Sequence, residues 1–182
     1  CFSKGYGFLL QQIDKEGAIG QKGAYVVEYP VYATAFLLKI WGRRSIRFDT
    51  LFQPHFENYL IGQQFTEERG IYADHPAYGA WGFGEQHLPL GEVGHVDLSH
   101  TRRVLEALQQ VSFDSTHPCW SKAKFFLERL QQKDGGFCSS TYTLGSNKAD
   151  DQIHKMVSYA TATADGLLSL MSLPHTDTLR IS

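Results

Sequence analysis

One unit occurs three times along the chain, and that repetition constrains the fold more than any other feature. The clearest copy lies near the end. The run FLERLQQ at Phe126–Gln132 reads as the end of a helix, and Asp134-Gly135-Gly136-Phe137 reads as a turn. After a loop of about 20 residues, a second helix opens at Ser158-Tyr159-Ala160-Thr161 and carries Thr163, Leu167 and Leu170 on one face. The copy spans roughly residues 121–173.

The other two copies follow the same plan. In the first, about 6–42, Phe8, Leu9 and Gln12 lie at helical spacing before Asp14 and Gly17. Little sequence precedes Phe8, so this first helix reads as shortened. Tyr29-Pro30 then opens a helix with Thr34, Leu37, Leu38 and Trp41 on one side. In the second copy, about 56–111, Tyr59, Leu60 and Gln64 precede Glu68 and Gly70. Its loop is long and rich in glycine and aromatic residues. Asp97 or Ser99 then caps a helix whose stripe is Thr101, Val104, Leu105 and Leu108. The copies align on Gln12, Gln64 and Gln131, with a threonine (Thr34, Thr101, Thr163) in each second helix. Length differences fall in connections, as expected of stacked helix pairs in one all-α domain over 1–182.

Composition narrows the function classes. With 17 Lys and Arg against 19 Asp and Glu, there is no basic excess to neutralise phosphates, so no nucleic-acid partner is expected. No run reaches the ~18–20 apolar residues of a membrane span, and no secretory signal is visible. The chain begins at Cys1, which reads as a cut. Cys1, Cys119 and Cys138 lack CxxC spacing. They read as thiols of a reducing compartment or as one pair, which suggests a cytoplasmic location.

Gln131-Gln132-Lys133-Asp134-Gly135-Gly136-Phe137 resembles the QxxDGGW repeat of the prenyltransferase and squalene-cyclase superfamily, with Phe137 at the usual Trp. The helix openings YATA (Tyr32–Ala35, Tyr159–Ala162) and DLSHT (Asp97–Thr101) are similar to that superfamily's second helices. The resemblance covers about residues 6–173. It implies an α/α toroid, with helix pairs in two concentric layers around an apolar cavity. Complete toroids hold more pairs than the three here. A partial toroid, completed by further repeats or by a partner subunit, is therefore expected.

The same resemblance implies an isoprenoid, lipid or similarly apolar small molecule as ligand, and terpenoid-cyclase or prenyltransferase chemistry if the domain is an enzyme. Cyclases of this type protonate an alkene with a DxDDT acid. At the three acid positions before Thr101 stand Asp97, Ser99 and His100, and a serine cannot supply that proton. The same positions hold Tyr159, Thr161 and Ala162 in the third copy, and Pro30, Tyr32 and Ala33 in the first. The D-x-C and distant His that bind zinc in protein prenyltransferases have no counterpart around Cys138. No cofactor is therefore expected.

The candidate residues gather around the second copy. Asp97, His100 and Asp165 are the catalytic candidates, Asp165 because burial in an apolar helix would raise its pKa. Otherwise Asp165 is a partly exposed helix-start acid. Tyr78, Trp81, Phe83 and Glu85 form either a cavity wall or a turn packed between repeats, and His95 joins them as a ligand contact. His95, Asp97 and His100 have donors that suit zinc or iron. The alternative for these three is a helix cap with two polar histidines. Two other functions are open. One is a non-catalytic scaffold whose centre is filled by side chains such as Tyr32, Phe36 and Tyr159. The other is a carbohydrate-active α/α toroid, needing a carboxylate pair such as Glu85 with Asp97 or Asp165.

Overall fold

The structure, a computed structural model, describes residues 2–20, 29–42, 52–84, 88–141 and 156–174. Those residues form six α-helices and one short 3₁₀ turn, Glu67–Arg69, with no strand among them. The helices are α1 (Phe2–Gln11), α2 (Pro30–Trp41), α3 (Gln53–Gly62), α4 (Leu98–Gln110), α5 (Cys119–Leu130) and α6 (Ala160–Ser172). The all-α expectation therefore holds.

The helices start where local chemistry favours it. Proline stands in the first turn of α2 and of α3, where the missing N–H costs nothing. Asp97 caps α4, accepting the His100 backbone N–H at 2.9 Å. In α4 the stripe Leu98, Thr101, Val104, Leu105 and Leu108 is buried, so one face serves two neighbours. The helix packs against both α2 and α6, and the second helix of each pair thus belongs to one row. In contrast, α1 carries no buried residue.

A turn of one design closes each first helix. The backbone N–H of Ile19, Trp81 and Phe137 donates to the hydroxyl of Thr34, Thr101 and Thr163, at 3.0, 3.2 and 3.0 Å. Inside the turns, Asp14, Phe65 and Gln132 donate their N–H groups to the carbonyls of Ala18, Ala80 and Gly136. Gly17, Gly79 and Gly135 take the left-handed φ values of 87°, 87° and 85°.

These contacts set the true register. Ile13, not Gln12, lies opposite Gln64 and Gln131, because Ile13 and Gln131 make the same isolated bridge to Ile19 and Phe137. The glutamine side chains agree. Gln64 Nε2 donates to Gly79 O (2.9 Å) and Gln131 Nε2 to Gly135 O (3.2 Å). Gln12 Nε2 reaches only Phe8 O, at 3.5 Å, within its own helix.

The extra length of the second copy also falls in a different place from the one expected. The segment Thr66–Tyr78 is inserted inside the turn, where the other copies have two residues, Lys15-Glu16 and Lys133-Asp134. Tyr78-Gly79-Ala80-Trp81 is therefore the counterpart of Asp134-Gly135-Gly136-Phe137. The insertion is tied to α5. Arg129 donates to Ala73 O and His75 O, and Lys122 bonds Glu67, which also accepts from the Tyr78 hydroxyl.

A second recurring bond joins neighbouring copies. The Val31 N–H at the start of α2 donates to Phe83 O (3.1 Å), and the Leu98 N–H at the start of α4 donates to Ser139 O (2.7 Å). Phe83 and Ser139 each lie two residues past the turn residue that bonds the threonine. The loop of one copy thus satisfies the free N–H groups of the preceding copy's second helix.

Two glycine substitutions separate backbone strain from steric overlap. A Cβ on Gly79 would lie 2.0 Å from Lys122 O, whereas a Cβ on Gly135 meets nothing within 4 Å. Both positions carry the left-handed strain, about 1–2 kcal/mol for an L-residue. Gly135→Ala should cost about that much in urea unfolding. Gly79→Ala should cost at least ~2 kcal/mol more, since a backbone carbonyl must move. Equal losses would show that the close packing of this turn on α5 contributes nothing.

Candidate functional site

Asp97 is the hub of the site. Its Oδ1 accepts hydrogen bonds from Ser99 Oγ (2.9 Å), from the His100 backbone N–H (2.9 Å) and from His100 Nδ1 (2.7 Å). Its Oδ2 meets His95 Nε2 at 2.8 Å. A helix cap normally accepts one or two backbone N–H groups. Here the same carboxylate also orients two imidazoles.

The electrostatics follow. Burial acts to raise the Asp97 carboxyl, but hydrogen bonds and charge from His100, with the His95 bond, outweigh it. The carboxyl is held well below the usual carboxylate range. Alkene protonation needs an undissociated acid, and Asp97 is an acceptor. Its two oxygens hold His95 and His100.

The metal reading of the cluster meets a geometric test. The candidate ligand atoms of His95, Asp97 and His100 all lie within 4.8 Å of one another. Two ligands of a tetrahedral ion with bonds of about 2.0–2.1 Å lie roughly 3.3 Å apart. The imidazole-to-carboxylate distances of 2.7 and 2.8 Å are hydrogen-bond spacings, and a shared ion would widen them by about half an ångström. The histidines also engage different carboxylate oxygens.

Aromatic rings surround the two imidazoles. Phe83 stacks on His95 with centroids 4.4 Å apart and planes 6° from parallel, and meets His100 edge-on at 4.5 Å. Tyr29 lies 4.3 Å from Phe83. Tyr32 on α2 lies 5.7 Å from His100 and 4.6 Å from Phe36, one helical turn on. The pairings lie close to the spacing that aromatic rings favour. Tyr29, Tyr32, Phe36 and Phe83 therefore form one face with His95 and His100. Phe83 is placed there by its carbonyl bond to the start of α2.

Asp165 reaches the same region from α6. Its Oδ1 pairs with Arg102 Nε at 2.9 Å. Arg102 Nη1 also donates to Glu106 at 2.9 Å, and Lys39 of α2 bonds the other Glu106 oxygen. Burial raises the Asp165 carboxyl, opposed by Arg102 and Arg103. The acid is thus the end of a charge chain running across α2, α4 and α6.

Two of the expected ligand contacts lie elsewhere. Trp81 is fully buried, and its Nε1 donates to Leu60 O of α3 at 2.6 Å. Tyr78 is buried, with its hydroxyl on Glu67. Both are turn residues packed between repeats. Phe83 and His95 do join the site. Glu85 lies outside the described residues. Sequence reasoning missed Tyr29, Arg102, Arg103 and Glu106, and it assigned Tyr32 and Phe36 to filling the centre. Their helical spacings were visible, but the packing of α2 on α4 brings them together.

No family model, curated protein or solved structure matches this chain. No helix among the described residues is long and apolar enough to cross a membrane.

The depressed Asp97 pKa has a consequence for stability. A carboxyl lowered by folding stabilises the protein at pH above its unfolded value, about 3.9. That contribution is lost as pH falls from there through the lower folded value. Asp97→Asn removes it. In urea titrations the variant should be less stable than wild type at neutral pH. The gap should close as pH drops below about 4. A gap independent of pH would show that Asp97 acts only as an uncharged cap.

Proposed function

We propose that this chain is a helical-repeat module of the prenyltransferase and squalene-cyclase type that binds an apolar, isoprenoid-class ligand. The module is part of an α/α toroid in which the row of second helices faces the ligand. The observation that carries the reading is the aromatic face of Tyr29, Tyr32, Phe36 and Phe83 set around His95 and His100 at the start of α4. Ring faces of this kind suit an unsaturated hydrocarbon, and the few polar groups among them fix its orientation. The three turn-to-threonine bonds support the resemblance on which the ligand class rests.

Binding is favoured over acid-initiated cyclisation. Asp97 holds a depressed pKa, and Ser99 replaces the acid that would donate. A glycosidase-like role finds less support, because Asp97 is saturated by hydrogen bonds and Asp165 is paired with Arg102.

Farnesol, an uncharged isoprenoid alcohol, is the probe. Isothermal titration should give micromolar binding to the wild type. Tyr32→Ala and Phe36→Ala should each weaken it at least fivefold, an effect of about 1 kcal/mol. Circular dichroism and urea midpoints must show that both variants remain folded. Absence of farnesol binding to the folded wild type, or equal binding by both variants, would sink the reading.

A further inference from the structure

We propose that a second small-molecule site lies at the opposite end of α4 from Asp97, and that it takes a compact aromatic amine whose ammonium group is received by Asp114. The proposal is independent of the apolar-ligand reading above. The length of α4, roughly 18 Å, separates the two places.

The chain turns sharply after α4 and borders an open cleft of about 460 Å³, which reaches the start of α5 and the end of α6. That size suits a small organic ligand. Ser112, Phe113, Asp114, Ser115, Trp120 and Leu173 are among the residues that line it. The turn is closed by two bonds of 3.0 Å, from the Phe113 N–H to Leu108 O and from the Ser112 N–H to Gln109 O. This closure puts Ser112 at a φ of 56°, in the left-handed region where glycine is the usual residue. Ser112 is the one non-glycine residue with positive φ among the described residues. A strained position that keeps a side chain in a cleft points to use of that side chain. The hydroxyls of Ser112 and Ser115 make no hydrogen bond among the described residues. Trp120 is fixed in the wall by its indole N–H, which donates to Asp114 O at 2.8 Å. Phe113 packs beside it, with ring centroids 6.4 Å apart.

Asp114 sets the charge of the cleft. Its Oδ1 accepts from the Thr116 hydroxyl (2.7 Å) and from the Thr116 backbone N–H (2.9 Å), which fix the carboxylate in place. Its Oδ2 takes no hydrogen bond or ion pair among the described residues. No Lys, Arg or His lines the cleft to neutralise it. His117 senses the charge, but its ring packs on Phe113 and its Nδ1 accepts from the Cys119 N–H. An anion beside ring walls selects a cation. The ammonium bonds the carboxylate, and the rings attract both positive charge and apolar surface. The two serine hydroxyls offer donors and acceptors to a ligand hydroxyl. An amine on a short arm from a hydroxylated ring matches all of these groups, whereas an anion or a neutral hydrocarbon leaves the carboxylate unpaired.

Three probes of one shape test this: tyramine, its neutral counterpart tyrosol and the anionic 4-hydroxyphenylacetate. They are titrated calorimetrically at low salt and neutral pH into the wild type, Asp114→Asn, Ser112→Gly and Glu92→Gln. Tyramine should bind the wild type about tenfold tighter than tyrosol, and 4-hydroxyphenylacetate should bind more weakly than either. Asp114→Asn keeps an acceptor for Thr116 and should cut the tyramine preference below about twofold. Ser112→Gly should raise the urea midpoint by releasing the left-handed strain, yet weaken tyramine roughly threefold. Glu92→Gln removes an exposed acid elsewhere and should leave the preference unchanged. Equal binding of tyramine and tyrosol by the wild type, or no binding of tyramine, overturns the proposal. So does a preference that survives in Asp114→Asn, or one that falls equally in Glu92→Gln and so reflects general attraction of cations. Tyramine binding that Ser112→Gly leaves intact overturns the role of Ser112. The wild-type comparison decides the matter even if a variant does not fold, and farnesol binding tests the aromatic face separately.

Discussion

The bond from a turn N–H to a second-helix threonine is the constraint on which this architecture depends. It is made at Ile19–Thr34, Trp81–Thr101 and Phe137–Thr163. A turn at a helix end leaves N–H groups that need acceptors. A threonine one turn inside the next helix supplies the acceptor and fixes how the two helices meet. Because Thr34 and Thr101 are fully buried, the cost of leaving the N–H unpaired falls on the whole pair. The carbonyls of Phe83 and Ser139 then cap the second helices of the preceding copies. One bond builds the pair, and the other passes the geometry from pair to pair.

That hierarchy explains what could be read from the sequence. The threonines, the Gly135 turn and the stripes of α2 and α4 were legible, because each reflects a local requirement, whereas in α6 Leu167 is exposed and Ala162, Gly166, Ser169 and Ser172 are buried in its place. All-α character followed from them. The register of the first copy was misread by one residue. Gln12 looked like the partner of Gln64 and Gln131, but Ile13 occupies that place. A glutamine pattern marks a side-chain bond to the turn carbonyl, and the first copy lacks that bond while keeping the backbone turn. The inserted segment Thr66–Tyr78 was misplaced for a related reason. Gly70 is also left-handed, with φ of 70°, so it imitates the turn glycine that is actually Gly79.

The site was half legible. Asp97 was recognisable as a cap, since a capping acid before an apolar stripe is a local signal. That it would hold His95 and His100 together required His95 to lie beside the helix start, where the isolated Gly82–Val96 bridge positions the residues entering α4. Arg103 carried no sequence signal at all. In a helix of mixed charge it looks like any solvated arginine. Its distinction comes from α2, whose Tyr32 and Phe36 rings lie under its guanidinium one turn apart.

Asp97 also shows why an acid at a helix start is a poor guide to acid chemistry. The same aspartate could be a proton donor or a proton-free anchor, and its surroundings decide. Apolar burial alone would raise its pKa and make it a donor. Four hydrogen bonds do the opposite. Ser99 contributes to that outcome, because its hydroxyl donates to the carboxylate. The face carries a carboxylate held by imidazoles at the start of α4 and a cation stacked on rings one turn later, an arrangement that holds charge in place rather than offering a proton.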